Sequence, residues 1–172
     1  MTLAEYEQAI LRDRDRVFGY AVRMMGDREE AADLVQDAML KMWSHRGHVE
    51  ADGATGWLIR VTRNACLDAL RRRSFENGLF VRDPDGPDPE ADDPAPDGAL
   101  ASGQLREHLD RLLARLREPY RSILILREIE DCRYDEISAA LDLPLTSVKV
   151  YLHRARHMLK SLISPDAVRE HV

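Results

Sequence analysis

The sequence is poor in the residues that staple or mark a catalytic fold. It has two cysteines, two tryptophans and three phenylalanines, and aromatic residues make up 6% of the chain. Cys66 and Cys132 lie far apart and in no metal-ligand or redox spacing. A disulfide framework, a zinc knuckle and a Cys-x-x-Cys centre are therefore excluded, and two reduced, inert thiols are expected. The six histidines make no His-Glu-x-x-His pattern. No glycine-rich phosphate loop and no nucleophile elbow is present, so neither an enzyme nor a bound cofactor or metal is expected. Ile123–Leu126 is the longest purely aliphatic run, far too short for a bilayer, and Glu5 and Glu7 interrupt any signal-peptide pattern. The expectation is a soluble, cytoplasmic protein with no membrane insertion.

Glycine and proline are scarce outside one region, and no run alternates apolar with polar residues long enough for a strand. The predicted fold is therefore all-α. In the exceptional region, residues 74–100, eight acids (Glu76, Asp83, Asp85, Asp88, Glu90, Asp92, Asp93 and Asp97) face one base, Arg82. Its net charge is −7 of the chain's −6, so the remainder carries +1. Proline blocks helix and ladder bonding there and carboxylates repel one another, which predicts a flexible acidic linker. It divides the chain into two small helical domains, residues 1–73 and 101–163, followed by a tail, 164–172.

In the first domain, Thr2 with Glu5 predicts a capping box opening a helix that Gly26 ends. Asp27 caps a second helix, DREEAADLVQDAMLKMW, with Ala31, Leu34, Val35, Ala38 and Met42 inward. Asp33, Gln36, Asp37 and Lys41 lie opposite, a spacing that by itself describes a solvated face. After a polar loop, 45–54, Thr55 is placed to cap a third helix over 56–73, with Leu58, Val61, Ala65 and Ala69 as its core stripe. Arg60, Arg63, Asn64 and Arg71 gather on another side, extended by Arg72 and Arg73. Trp43 and Trp57 read as core residues.

In the second domain, helices are predicted over 104–116, 119–128, 133–141 and 144–162, with Pro119 in a first turn. In the last helix, Val148, Leu152, Ala155, Leu159 and Leu162 recur on one face and Lys149, His153, Arg156 and Lys160 on another. A cationic stripe alone also describes a solvated face. The tight turn Asp142–Pro144 and the short partner helix bearing Ile137 and Leu141 make the pair a helix-turn-helix suited to the major groove.

Three segments, EEAADLVQDAMLKMW, GWLIRVTRNACLDALRRR and LREIEDCRYDEISAALDLPLTSVKVYLHRAR, resemble in order and separation the extracytoplasmic-function (ECF, group IV) sigma factors of the sigma-70 family. Two departures stand out: Thr146-Ser147 replaces a common Gly-Thr pair, and Tyr151 stands where arginine often precedes LHRAR. The resemblance implies a sigma-2 domain whose Asp33, Gln36, Asp37 and Lys41 meet the β′ clamp helices of core RNA polymerase. It implies minus-ten contacts from loop 47–52, including Gly47, His48 and Asp52, and from Arg60, Arg63, Asn64, Arg71 and Arg72. It implies a sigma-4 domain that docks the β flap tip and reads the minus-thirty-five element through Lys149, His153, Arg154, Arg156 and Lys160. The linker is expected to thread toward the RNA exit path. Promoter DNA, core polymerase and an anti-sigma factor or other regulator are the implied partners. A free-standing helix-turn-helix regulator and a protein-binding adaptor remain the alternatives. The acidic linker argues against the first and the cationic stripes against the second.

Overall fold

The computed structural model describes residues 1–78 and 102–164. The linker expectation therefore falls largely, and the tail expectation almost wholly, outside the described residues. Three helices make the first lobe: α1 (Leu3–Met25), α2 (Arg28–Ser44) and α3 (Ala54–Glu76), the last preceded by a 3-10 turn at Ala51–Gly53. The second lobe holds α4 (Ser102–Arg115), α5 (Tyr120–Leu124) running into a π turn at Ile125–Ile129, α6 (Tyr134–Leu141) and α7 (Leu145–Ile163). No strand occurs among the described residues.

The helix boundaries follow from local chemistry. Thr2 and Glu5 form the capping box, the Thr2 side chain accepting from the Glu5 backbone N–H. In return the Thr2 backbone N–H donates to Glu5 Oε2 at 2.6 Å, which holds the Glu5 carboxyl below its ordinary range. Gly26 closes α1 in the left-handed region at φ 71°, where a side chain is disfavoured. Asp27 accepts from the Glu30 N–H at 2.9 Å and opens α2. The turn between α6 and α7 is made by Asp142, left-handed at φ 53° and ψ 48°. Pro144 then begins α7 without needing an N–H donor.

Thr55 does not cap α3, as the sequence had suggested. Helix α3 starts at Ala54, and Thr55 lies buried within its first turn. Its hydroxyl donates to Asp13 Oδ2 at 2.6 Å, a carboxylate only 1% exposed. Arg12 and Arg16 supply that buried charge with its remaining partners. The hydroxyl is thus spent on a tertiary partner instead of its own helix end.

The core stripe of α3 also differs from the predicted one. Leu58, Ile59, Thr62, Cys66 and Ala69 are buried, whereas Val61 and Ala65 are half-buried. The cause is that α3 packs on α1 and α2 from one side and on α6 from another. This second contact joins the lobes into one continuous core, running from Val17, Tyr20 and Met42 to Ile123, Ile137 and Leu152. The sequence yields two lobes; the structure adds that they are packed together. Truncating a fully buried aliphatic such as Ile123 or Leu58 removes about 2–5 kcal/mol.

Candidate nucleic-acid interface

Helix α7 is two-faced. Val148, Leu152 and Ala155 are buried, and α7 packs principally on α5 and α6. Lys149, His153, Arg154, Arg156 and Lys160 are all exposed. Two of these cations are held by neighbours the sequence analysis missed. Arg156 donates through Nε to Glu128 Oε1 at 2.6 Å, from the π turn, and Lys149 Nζ stands 5.9 Å from the centre of the Tyr134 ring. Tyr151 is half-buried, its ring edge-on to Tyr120 at 5.6 Å. Tyr151 is therefore a packing residue. Nothing in the helical spacing marks Glu128 or Tyr134, because they reach α7 from other elements.

In the first lobe, Arg60, Asn64, Arg71 and Arg72 line up on α3 with exposed side chains. Arg71 makes a surface pair with Asp68 at 2.9 Å, exposed on both sides and worth little. Arg63 is different: it turns into the lobe junction, donating to Ser122 Oγ at 3.2 Å and to Glu118 Oε2 at 3.0 Å. Arg73 folds back onto the Met25 carbonyl at 3.1 Å and onto Glu30. The basic face of α3 is thus Arg60, Asn64, Arg71 and Arg72, with Arg63 withdrawn from it.

The loop before α3 exposes Gly47, His48 and Asp52 and is pinned by buried Val49. The chain's amino terminus donates to the Arg46 carbonyl at 2.9 Å, and the Arg46 guanidinium stacks 3.9 Å from the Trp43 ring. Both tryptophans, read from the sequence as core residues, are half-buried, and Trp57 packs against the core. Trp57 lies 6.1 Å from the His45 ring and lines an open groove of about 330 Å³ with Lys41, Val61, Asn64, Ala65 and Asp68. The groove brings together Lys41 and Asn64, assigned from sequence to different partners.

On α2, Asp33, Gln36, Asp37 and Lys41 are exposed on one face, with Leu40 at 56% exposure among them. A single exposed leucine among charges is ordinary protein surface and does not by itself mark a docking site. Among the described residues, no cluster of three or more His, Cys, Asp or Glu is placed to hold a metal ion. Nor is any described helix long and apolar enough to cross a membrane. The thiols are deeply placed: burial pushes Cys66 up to about 12 and Cys132 up to about 11.

Fold and surface define a two-lobed helical protein with a helix-turn-helix and an exposed cationic helix face in its second lobe. Comparison with known families makes this specific. The pattern of sigma-70 region 2 matches residues 9–76 and that of sigma-70 region 4 matches residues 106–159. The chain is 28% identical to the ECF RNA polymerase sigma factor SigE of Mycolicibacterium smegmatis, over 94% of this chain and 63% of that one. It is 26% identical to the RNA polymerase sigma-H factor of Pseudomonas aeruginosa, over 93% of this chain and 86% of that one. In fold it is similar to CnrH, solved with the cytosolic domain of CnrY, at TM-score 0.68 and 21% identity, over 94% of this chain and 88% of CnrH. It is likewise similar to RpoE of Bartonella quintana, solved with the anti-sigma factor NepR, at TM-score 0.67 and 23% identity, over 95% of this chain and 99% of RpoE. The chain belongs to the sigma-70 family and is an ECF-type RNA polymerase sigma factor, acting in transcription initiation.

Proposed function

We propose that this chain is a group IV sigma factor whose lobes grip opposite ends of one promoter on core polymerase, with no catalytic chemistry of its own. The observation that carries this reading is α7, where apolar residues are buried while Lys149, His153, Arg154, Arg156 and Lys160 are exposed together. Cations so displayed meet phosphates, and arginine or lysine reaches guanine edges in the major groove of the minus-thirty-five element. Glu128 holds Arg156 in a defined orientation for that contact.

At the other end, Arg60, Asn64, Arg71 and Arg72 guide the minus-ten strand, joined by Arg63 once it is released from Glu118. The loop bearing Gly47, His48 and Asp52 receives an unpaired base. Capturing unstacked bases is how binding energy opens a duplex without nucleotide hydrolysis. The α2 face of Asp33, Gln36, Asp37 and Lys41 meets the β′ clamp helices, and the apolar side of the second lobe meets the β flap tip. The protein works in the cytoplasm beside core polymerase. The partners named in the titles of the CnrH and RpoE structures support a protein regulator, an anti-sigma factor, for this chain as well.

The test is promoter-dependent transcription with purified core enzyme. Core plus this protein is expected to initiate at a selected promoter, whereas the protein alone binds that duplex weakly. Tight binding by the free protein, with no effect on core enzyme, would identify a free-standing regulator instead.

A further inference from the structure

The cations of α7 run along its flanks, and the crest between them is apolar. Two residues of α-helix turn through about 200°. Thr146 and Val150 each lie two residues from buried Val148, and Val150 lies two from buried Leu152. Both therefore stand opposite the core, four residues apart on one face of the first turns of α7. Both are exposed, Val150 at 48%. Leu145 and Ile163 are also exposed, but they occupy the first and last positions of the helix. Val150 is held outward in its interior, where Val148, Leu152 and Ala155 turn in.

A lone exposed valine is ordinary surface. This one differs in what surrounds it. Lys149, His153, Arg156 and Lys160 follow one another along one flank, and Arg154 stands toward the other. Two of these cations are drawn sideways, Arg156 to Glu128 at 2.6 Å and Lys149 toward the Tyr134 ring at 5.9 Å. Long side chains on the flanks suit the groove walls, where the phosphates lie, and reach guanine edges from the side. The crest is left to Thr146 and Val150, two short β-branched side chains that end in methyl groups. They also belong to the amino-terminal part of the helix, the part that approaches base edges when such a helix enters the major groove.

We propose that Thr146 and Val150 form an apolar reading edge that selects thymine in the minus-thirty-five element through its C5-methyl group. This inference rests on the reading of α7 as the minus-thirty-five helix. The chemistry singles out one base. The valine side chain has no donor or acceptor, and the thymine methyl is the apolar group that base pairs present in the major groove. Pressed against guanine, adenine or the cytosine amino group, Val150 would strip a polar edge of water and give nothing back. Pressed against thymine, it buries two apolar surfaces together. Thr146 adds its own methyl one turn away, and its hydroxyl can meet a neighbouring acceptor. The cations fix how the helix lies in the groove, and the crest decides which base is accepted beneath it.

The test uses the full chain with core polymerase and a promoter library randomised across the minus-thirty-five element. Selection is expected to fix at least one thymine there. Each selected thymine is then replaced by deoxyuridine, which deletes the methyl group and keeps the base pairing. At one of these positions wild type should bind the uracil promoter about fourfold more weakly, the size of one buried methyl group. Val150→Ser and Thr146→Ser remove methyl groups from exposed positions, so helicity should stay as it is. The thymine-to-uracil binding ratio should fall toward one in Val150→Ser and fall further in the double variant. A selected element without thymine overturns the proposal. So does equal binding of the thymine and uracil promoters by wild type, or an undiminished ratio in the double variant. Failure of wild type to initiate at any library member would instead sink the promoter reading itself, and the contact with it. A working promoter indifferent to the methyl group removes the contact alone.

Discussion

Arg16 of α1 and Glu136 of α6, 120 residues apart in the chain, meet at 2.8 Å across the junction of the two lobes. Both are mostly shielded, with side-chain exposures of 26% and 12%. Burial disfavours charge on Arg16, but the hydrogen bond and charge of Glu136 outweigh it and raise its guanidinium pKa. Asp13, buried beneath, orients Arg16 from the first lobe. Arg16→Ala is therefore expected to lower unfolding stability by about 1–3 kcal/mol. Urea titration checks this, and a loss below about 0.5 kcal/mol, the level of an ordinary surface change, would show the pair to be idle.

Asp13 depends on Thr55, whose hydroxyl donates to it at 2.6 Å. Thr55→Val keeps the shape and deletes the donor. The expected loss is about 1–3 kcal/mol, because a buried carboxylate is left short of a partner. Thr55→Ser, retaining the hydroxyl, should recover most of it in the same thermal or urea experiment.

The α2 face gives a binding variant that should leave the fold alone. Asp37 is exposed, and Asp37→Arg is expected to change stability by less than about 0.5 kcal/mol. Its affinity for core polymerase should fall at least severalfold, measured by competition with a reference sigma factor. Unchanged affinity would remove the docking assignment.

Arg156 and Glu128 separate contact from orientation. Arg156→Ala is expected to weaken binding at a minus-thirty-five element by about 1–3 kcal/mol and to relax its sequence preference. Glu128→Gln retains the arginine but loosens the 2.6 Å pair, so its effect on preference should be smaller and in the same direction. Tyr151→Ala should act differently, lowering the stability of the second lobe through its lost contact with Tyr120. Binding to a set of single-base promoter variants distinguishes the three.

Cysteine reactivity reports burial directly. With Cys132 pushed up to about 11 and Cys66 up to about 12, the folded state favours neutral thiols. Native protein at about pH 8 should resist alkylation, and denaturant should expose both thiols. The linkage has a definite sign. The folded state holds protons that the unfolded state loses above about pH 8.5, so these thiols lower stability as pH rises from there toward 11 to 12. Rapid native labelling at neutral pH would contradict the burial.

Helix positions and the recognition stripe were legible because they depend on local spacing. Thr2, Gly26 and Asp27 do in the structure what their types predict, and Val148, Leu152 and Ala155 turn inward as the 3.6-residue period requires. The misreadings share one origin. Thr55 and the α3 core stripe were assigned from local spacing alone, and each is redirected by a tertiary partner, Asp13 of α1 in the first case and α6 of the second lobe in the other.

By itself, the sequence determined the all-helical class, the family, and which residues of α7 carry positive charge outward, since caps and periodicity act within a few residues of one another. Only the tertiary structure decided that the two lobes close on each other, because that contact pairs residues about a hundred positions apart. No local pattern encodes such a pairing.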